Sequence, residues 1–568
     1  MAGGSLISSL IAIAGCSSSG ADATSPPDGS KASDGGTSTG HADAGGDASS
    51  APQPLPTGKF RIGVWCGLPA TEMTKARMDE MANAGFTTTS YGCEGDTSSA
   101  AYNTQMLALA SADGMDAIIS DPRIPAAIAG TDVATNLDGV VKDFANVPGM
   151  AGYFVADEPT APFANVASVV DGLQTRDPAH FAYVNLLPVY ASAAQLGAAS
   201  YDDYVGSYFS TAKPKVISFD DYPFYSTGDG STFFIDLATM RTHAVAAGVP
   251  FWQFMQSITF ADHRATTAAE KLWEGIQTLA YGGAGVSYFC YWTPPADEGF
   301  GPGIIDLAGN ETSQYADVKV INARLQAFGR YLVAAKSTGV FTNGALPAGA
   351  VTRIPGTAVY VPSTTPMTVG LFSVNDGGYA FLANGSTTAA NETDVFVASA
   401  APPEALDVAT GTFVAMPVLA IDAVKGFKVH VSLAAGDGAL IHLSGPVPVG
   451  APGAEAFVGT VRADQAMLDV VDSSFGDGAI ETAGWNTCPA GYDLAGNDFQ
   501  SNGFWLCTRH DLASHTFYVG NVVADQAILY SVASGTATAV GAESWDTCTK
   551  GKFVGHRFES NGYWLCMD

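Results

Sequence analysis

The strongest constraint on how this chain folds is a strand-then-helix alternation that recurs eight times between Lys59 and Val333. The runs read as strands are FRIGVWC (60–66), FTTTSYGC (86–93), MDAIISD (115–121), GYFVADE (152–158), FAYVNLLP (181–188), VISFDDYPF (216–224), PFWQFMQS (250–257) and GVSYFCYW (285–292). Between them lie stretches with apolar residues at helical spacing, such as TKARMDEMANAG, closed by Gly85, and TAAEKLWEGIQTLAYGG. Eight such units over about 275 residues are what a (β/α)8 barrel requires. An open doubly wound sheet is the alternative, but no Gly-rich phosphate loop follows the first strand. The expected fold class is α/β, with the (β/α)8 TIM barrel over 58–333.

Past Val333 the pattern changes. Short β-like runs such as TVGLFSV, GYAFLANGS, TDVFVAS, FKVHVSLA and GALIHLSG are punctuated by Gly, Asn, Asp and Pro. An all-β sandwich over 334–446 is expected. The remainder contains an internal repeat. FVGTVRADQAMLDVV (457–471) returns as YVGNVVADQAILYSV (518–532), and GWNTCPAGYDLAGNDFQSNGFWLC (484–507) as SWDTCTKGKFVGHRFESNGYWLC (544–566). Two tandem modules, 447–512 and 513–568, each carry two Cys, so bridges Cys488–Cys507 and Cys548–Cys566 are expected. A module of about 60 residues has a thin core that one such staple would stabilise. Trp485, Trp505, Trp545 and Trp564 read first as core aromatics beside the bridges and second as sugar-stacking faces; attachment to a cell surface is also open.

The N-terminus points to export. SLISSLIAIAGC is a short apolar run, too short to span a bilayer. Ile13-Ala14-Gly15-Cys16 resembles a bacterial lipobox, which implies removal of 1–16 and lipidation at Cys16, although no Lys or Arg precedes the run. A plain secretory signal is the alternative. Residues 17–57, rich in Ser, Gly, Ala, Asp and Pro, read as a flexible tether. The expected location is the bacterial cell envelope, with membrane contact only through the lipid.

Lys and Arg total 25 against 55 Asp and Glu, a net charge of −30, which argues against nucleic acid or an anionic lipid surface as partner. In the barrel, Cys66 and Cys93 end neighbouring strands and can bridge, whereas Cys290 reads as a buried thiol. No HExxH motif or CxxC pair implies zinc, and nothing demands a cofactor, although a structural calcium in the Asp-rich loops is left open.

The chemistry concentrates at strand ends. In barrels the reacting groups come from the C-terminal ends of the strands. There the fourth strand closes with Asp157-Glu158 before Pro159, and the sixth with Asp220-Asp221-Tyr222 before Pro223. An acid before proline is also a common helix cap or loop acceptor, but two doublets in one barrel favour chemistry. This layout resembles the large clan of barrel glycoside hydrolases whose acid/base Glu closes strand four as the second residue of an Asn-Glu pair. Glu158 matches that Glu, with Asp157 where the Asn would stand. The resemblance also implies that Trp292, ending the eighth strand, floors the sugar site. It departs at strand seven, where the clan's nucleophilic Glu is replaced by Gln253 and Gln256.

Alternation turns Ser218, Asp220 and Tyr222 inward. Glu158 as general acid with Asp220 or Asp221 as base, one strand apart, suits inversion, which needs roughly 6.5–9.5 Å between carboxyls. Asp157-Glu158 also resembles the doublet of substrate-assisted N-acetylhexosaminidases, implying that Asp157 orients the acetamido group and Tyr222 holds its oxygen. Trp65, Tyr91, Asn185, Tyr222, Gln256 and Trp292 are the expected sugar contacts, and Glu94, Asp121, Asp297 and Glu298 are further acids near strand ends. The expected function is an extracellular glycoside hydrolase acting on a carbohydrate through Glu158. The competing class is a barrel that binds glycan or an envelope partner without catalysis, favoured by the strand-seven glutamines.

Overall fold

A computed structural model describes residues 57–568 apart from 296–298, 345–348, 351–356, 362–364 and a set of short stretches beyond 375. Cys16, the tether up to residue 56, Asp297, Glu298 and Trp545 lie outside the described residues.

Eight parallel strands form the first sheet: β1 (Arg61–Val64), β2 (Thr88–Ser90), β3 (Asp116–Ile119), β4 (Met150–Asp157), β5 (Phe181–Leu186), β6 (Ile217–Asp220), β7 (Phe251–Gln256) and β8 (Gly285–Phe289). Each pairs with its sequence neighbours except β1 with β2, and β8 returns to β1. The seam between β1 and β2 closes through Thr87 N–H to the Ile62 carbonyl (3.0 Å) and Gly67 N–H to the Tyr91 carbonyl (2.9 Å). Backbones nearly touch just beyond it: a Cβ on Gly67 would lie 2.2 Å from the Ser90 oxygen. The (β/α)8 barrel read from the sequence is therefore the fold. Its helices begin where polar caps stand. Thr74, Ser99 and Ser200 each accept from a first-turn N–H, and Thr267 with Glu270 forms a reciprocal box.

Strand β4 is irregular in a way that matters. Its register against β5 slips between Phe154 and Ala156, leaving Val155 as an extra residue. Phe154 packs among the residues inside the barrel; plain alternation from it would send Asp157 to the helix side. The bulge at Val155 restores Asp157 to the inner face, opposite Asn185.

The β-sandwich follows as a six-stranded antiparallel sheet over a four-stranded one. Their inner faces bury Val369, Leu371, Leu382, Val395, Val429 and Ile441. The barrel helix Ala268–Ala280 packs against the first of these sheets. Gln277 donates to the Asn384 carbonyl (3.0 Å), Arg324 pairs with Asp437 (2.6 Å), and a Cβ on Gly370 would meet the Ala280 oxygen at 2.3 Å.

Each expected C-terminal bridge is present, Cys488–Cys507 and Cys548–Cys566, as is Cys66–Cys93 in the barrel, and the Cys290 thiol is buried. The repeats do not carry separate thin cores, however. Tyr492–Asp498 of the first copy pairs in parallel with Gly535–Glu543 of the second, joining both into one ten-stranded sheet. One apolar cluster draws Phe504 and Leu506 from one copy and Phe517, Tyr563 and Leu565 from the other. Trp505 and Trp564 are fully buried, Trp485 is partly buried against Trp505 (ring centroids 5.0 Å), and the Trp564 indole donates to the Thr547 carbonyl (2.9 Å). The first two therefore offer no open face for stacking.

Candidate active site

Three carboxyls, Asp157, Glu158 and Asp220, meet at the C-terminal mouth of the barrel between β4 and β6. Asn185 of β5 stands between them. Its amide donates to Asp157 Oδ1 (3.0 Å) and reaches Asp220, and its Oδ1 accepts from Ser218 Oγ (2.9 Å). Its backbone carbonyl accepts the Glu158 N–H (2.9 Å). That bond holds Glu158 at φ 45°, a left-handed conformation uncommon for a residue with a side chain. Pro159 follows, its carbonyl accepting from the Tyr204 hydroxyl (2.8 Å).

Glu158 lies within hydrogen-bonding reach of Asp220. Among the described residues no Lys, Arg or His forms an ion pair with any of the three acids. Burial therefore raises their proton affinities with no cation to oppose it. Burial, reinforced by the Asp157 charge, pushes Glu158 up to about 7. Burial with the charges of Glu158 and Asp157 drives Asp220 well above the usual carboxylate range. Asp157 keeps solvent contact but is crowded by protein, which raises it to about 6 while the Asn185 amide holds it down. At neutral pH the cluster thus combines an ionised Asp157 with a proton retained by the Glu158–Asp220 pair.

Aromatic rings surround this cluster. Trp65 packs edge-on to Tyr91 (5.4 Å), Phe154 (5.6 Å) and Phe254 (5.7 Å). The Tyr91 and Tyr222 phenols are both raised first by burial and then by nearby carboxylates, Asp157 for one and Asp220 for the other. Two participants escaped the sequence reading. Tyr183 shares strand parity with Asn185, and its hydroxyl reaches Ser218 and Ser287. Tyr190, 47% exposed on the loop after β5, lies in the field of Asp220. Parity could have found the first; the second sits on a loop, where no periodicity guides the eye.

Three expected residues are taken away from the mouth. Asp221 turns to the helix side, fully buried, and accepts from Thr232 Oγ1 (2.9 Å). Gln256 is fully buried: it donates to the Phe224 (3.0 Å) and Arg264 (2.7 Å) carbonyls and accepts from Phe224 N–H (3.1 Å), so it ties loops and offers nothing to a sugar. Trp292 is 3% exposed, with the Arg77 guanidinium over its ring at 5.4 Å. Gln253 is equally buried, reaching the Asp221 carbonyl (3.3 Å). Among the other acids, Asp121 is paired with Arg123 (2.8 Å), and Glu94 is exposed. Among the described residues no group of three or more His, Cys, Asp or Glu is arranged to hold a metal.

No family model matches the chain, and no curated protein matches it. Solved structures similar to it include the β-galactosidase of the psychrophilic Marinomonas ef1, at 11% identity and a TM-score of 0.37, covering 49% of this chain and 62% of that one. The match therefore spans less than two thirds of that protein. The cold-adapted β-galactosidase of Rahnella sp. R3 aligns at 10% identity and TM-score 0.47, over 69% of this chain and 99% of its own. A GH42 β-galactosidase of G. stearothermophilus aligns at 8% and 0.46, again over 69% and 99%. Likeness at that level says nothing of activity.

Proposed function

We propose that the chain is an exported glycoside hydrolase, envelope-anchored or secreted, acting on an extracellular glycan with Glu158 as proton donor. One observation carries this reading: Glu158 and Asp220 lie within hydrogen-bonding reach of each other at the barrel mouth, and among the described residues no cation pairs with either. A glycosidic oxygen leaves only if it is protonated, and an acid raised to about 7 can donate in neutral water. The aromatic walls supply apolar faces for sugar C–H surfaces.

The pair is too close for the inverting arrangement expected from strand spacing, in which a water sits between acid and base. Asp220 is moreover pushed toward its neutral form and makes a poor base. The carboxyl best held as an anion is Asp157. This favours a second reading within the same class, in which Asp157 orients a substrate acetamido group that itself attacks the anomeric carbon.

The test is hydrolysis of a panel of polysaccharides and nitrophenyl glycosides, with and without 2-acetamido groups, by wild type and Glu158→Gln. Loss of about 10²–10⁴-fold in the variant is expected, the range that general acid catalysis contributes. Turnover restricted to 2-acetamido sugars selects the substrate-assisted route. Undiminished activity in Glu158→Gln, or none in wild type on any member, refutes the reading.

A further inference from the structure

The doublet that ends β6 splits: Asp220 faces the mouth and Asp221 faces the helices. Asp221 is fully buried, and one of its oxygens accepts from Thr232. The other, Oδ1, meets no donor. Across from it stands Asp236 of the helix Phe233–Ala247, also fully buried, with Oδ1 accepting the Val189 N–H (3.0 Å) and Oδ2 meeting no donor. The two carboxyls lie within hydrogen-bonding reach of each other. Two orphan acceptors facing one another away from water would repel as anions, and one proton between them satisfies both.

We propose that Asp221 and Asp236 share a single proton and form a positioning pair that fixes the end of β6, and Asp220 with it, against the chain behind the barrel. The pair joins four segments. Asp221 carries β6, Asp236 the helix Phe233–Ala247, Val189 the loop that bears Tyr190, and Tyr201, beside Asp236, the helix Tyr201–Ala212. The titratable groups facing the pair are Tyr201, Tyr190 and Tyr225 from the loops and helices around it and Glu274 from the helix Ala268–Ala280. None supplies a positive charge. Among the described residues this leaves the shared proton as the positive element of the link, beside the neutral hydroxyls of Thr232, which donates to Asp221, and Tyr201, which lies within hydrogen-bonding reach of Asp236.

Asparagine tests this, because its amide donates to a carboxylate without needing a proton. The pair's proton is held more tightly in the folded chain than in the unfolded one. Its contribution to stability is complete at acid pH and drains away as pH rises through the folded value. Thermal unfolding of wild type, Asp236→Asn and Asp236→Ala is measured from pH 4.5 to 8.5. Asp236→Asn should lose less Tm with rising pH than wild type, a difference of one proton per chain, and Asp236→Ala should be destabilised throughout. A wild-type and Asp236→Asn pair with parallel Tm profiles overturns the proposal.

The positioning role rests on the hydrolase reading and has its own readout. Asp236→Ala should lower kcat at least tenfold with KM nearly unchanged, and Asp236→Asn should restore it. An unaltered kcat in a folded Asp236→Ala refutes positioning. Where wild type hydrolyses nothing, the hydrolase reading falls and the Tm comparison still decides the shared proton.

Discussion

Asn185→Asp is the substitution that most directly interrogates the carboxyl cluster. It changes shape hardly at all, yet it replaces the donor that faces Asp157 Oδ1 at 3.0 Å with an acceptor. At about 4 Å and an effective dielectric near 20, each like-charged pair so created costs roughly 4 kcal/mol. The chain can escape only by binding another proton, which costs about 1.4 kcal/mol for every pH unit above the unfolded aspartate value near 3.9. Solvent contact at Asp157 discounts the total, so about 2–4 kcal/mol should be lost at pH 7.5. Near pH 4 the new carboxyl is protonated and donates as the amide did, so the loss should nearly vanish. Sign and window agree: the introduced group has a raised folded pKa, so stability is intact at acid pH and declines as pH climbs. Asn185→Ala is the control. It deletes the same bonds and leaves Ser218 its longer bond to the Val184 carbonyl (3.4 Å), a loss of about 1–3 kcal/mol that grows toward neutral pH only by what the amide gives the ionised Asp157, far less than for Asn185→Asp. Urea midpoints followed by tryptophan fluorescence at both pH values separate the two. Equal shifts for Asn185→Asp at pH 4 and 7.5 would show that the amide does not face the acids.

The remaining predictions concern the acid itself and the barrel seam. Wild-type stability should fall as pH rises from about 4.5 through about 7 because Glu158 must surrender its proton. Glu158→Gln, lacking that ionisation, should gain on wild type by about 1–3 kcal/mol at pH 8 and by nothing at pH 4; a gain of the same size at both ends contradicts the assignment. Replacing Cys66 and Cys93 together by Ser opens a loop of 27 residues and should cost about 3–4 kcal/mol on the chain-entropy account, read as a lower Tm. A Tm unchanged by this replacement, or by reducing agent, would mean that the bridge does not restrain the unfolded chain.

The barrel was legible because its signal is distributed: eight apolar runs at regular spacing still specify eight strands when each boundary is off by a residue or two. The inward direction of Asp220 was legible too, since β6 is regular and parity suffices. Asp157 was not oriented by parity, because the extra residue at Val155 breaks the alternation without any Gly or Pro to announce it. The contact between Glu158 and Asp220 was equally hidden, since it depends on the left-handed turn at Glu158. Parity set Asp221 apart from Asp220, but no local pattern announced the Asp236 that faces it from a helix fifteen residues downstream. In the repeats, the copies could be seen but not the strand pairing between them, which no local pattern records.

The helix Ala268–Ala280 has a consequence of a more practical kind. Ten of its thirteen residues are buried, which is too many for a helix meant to cover one face of a barrel. One side carries Glu274, whose carboxylate receives the Gln256 N–H at the end of β7 (3.1 Å); the other carries Gln277 into the sandwich. Cutting the chain after the barrel would therefore leave an unroofed helix, with buried apolar and polar groups newly exposed, leaning on the strand that borders the mouth. The barrel is not a cassette that can be excised and transplanted; anyone wishing to express or graft it must bring its β-sheet neighbour along.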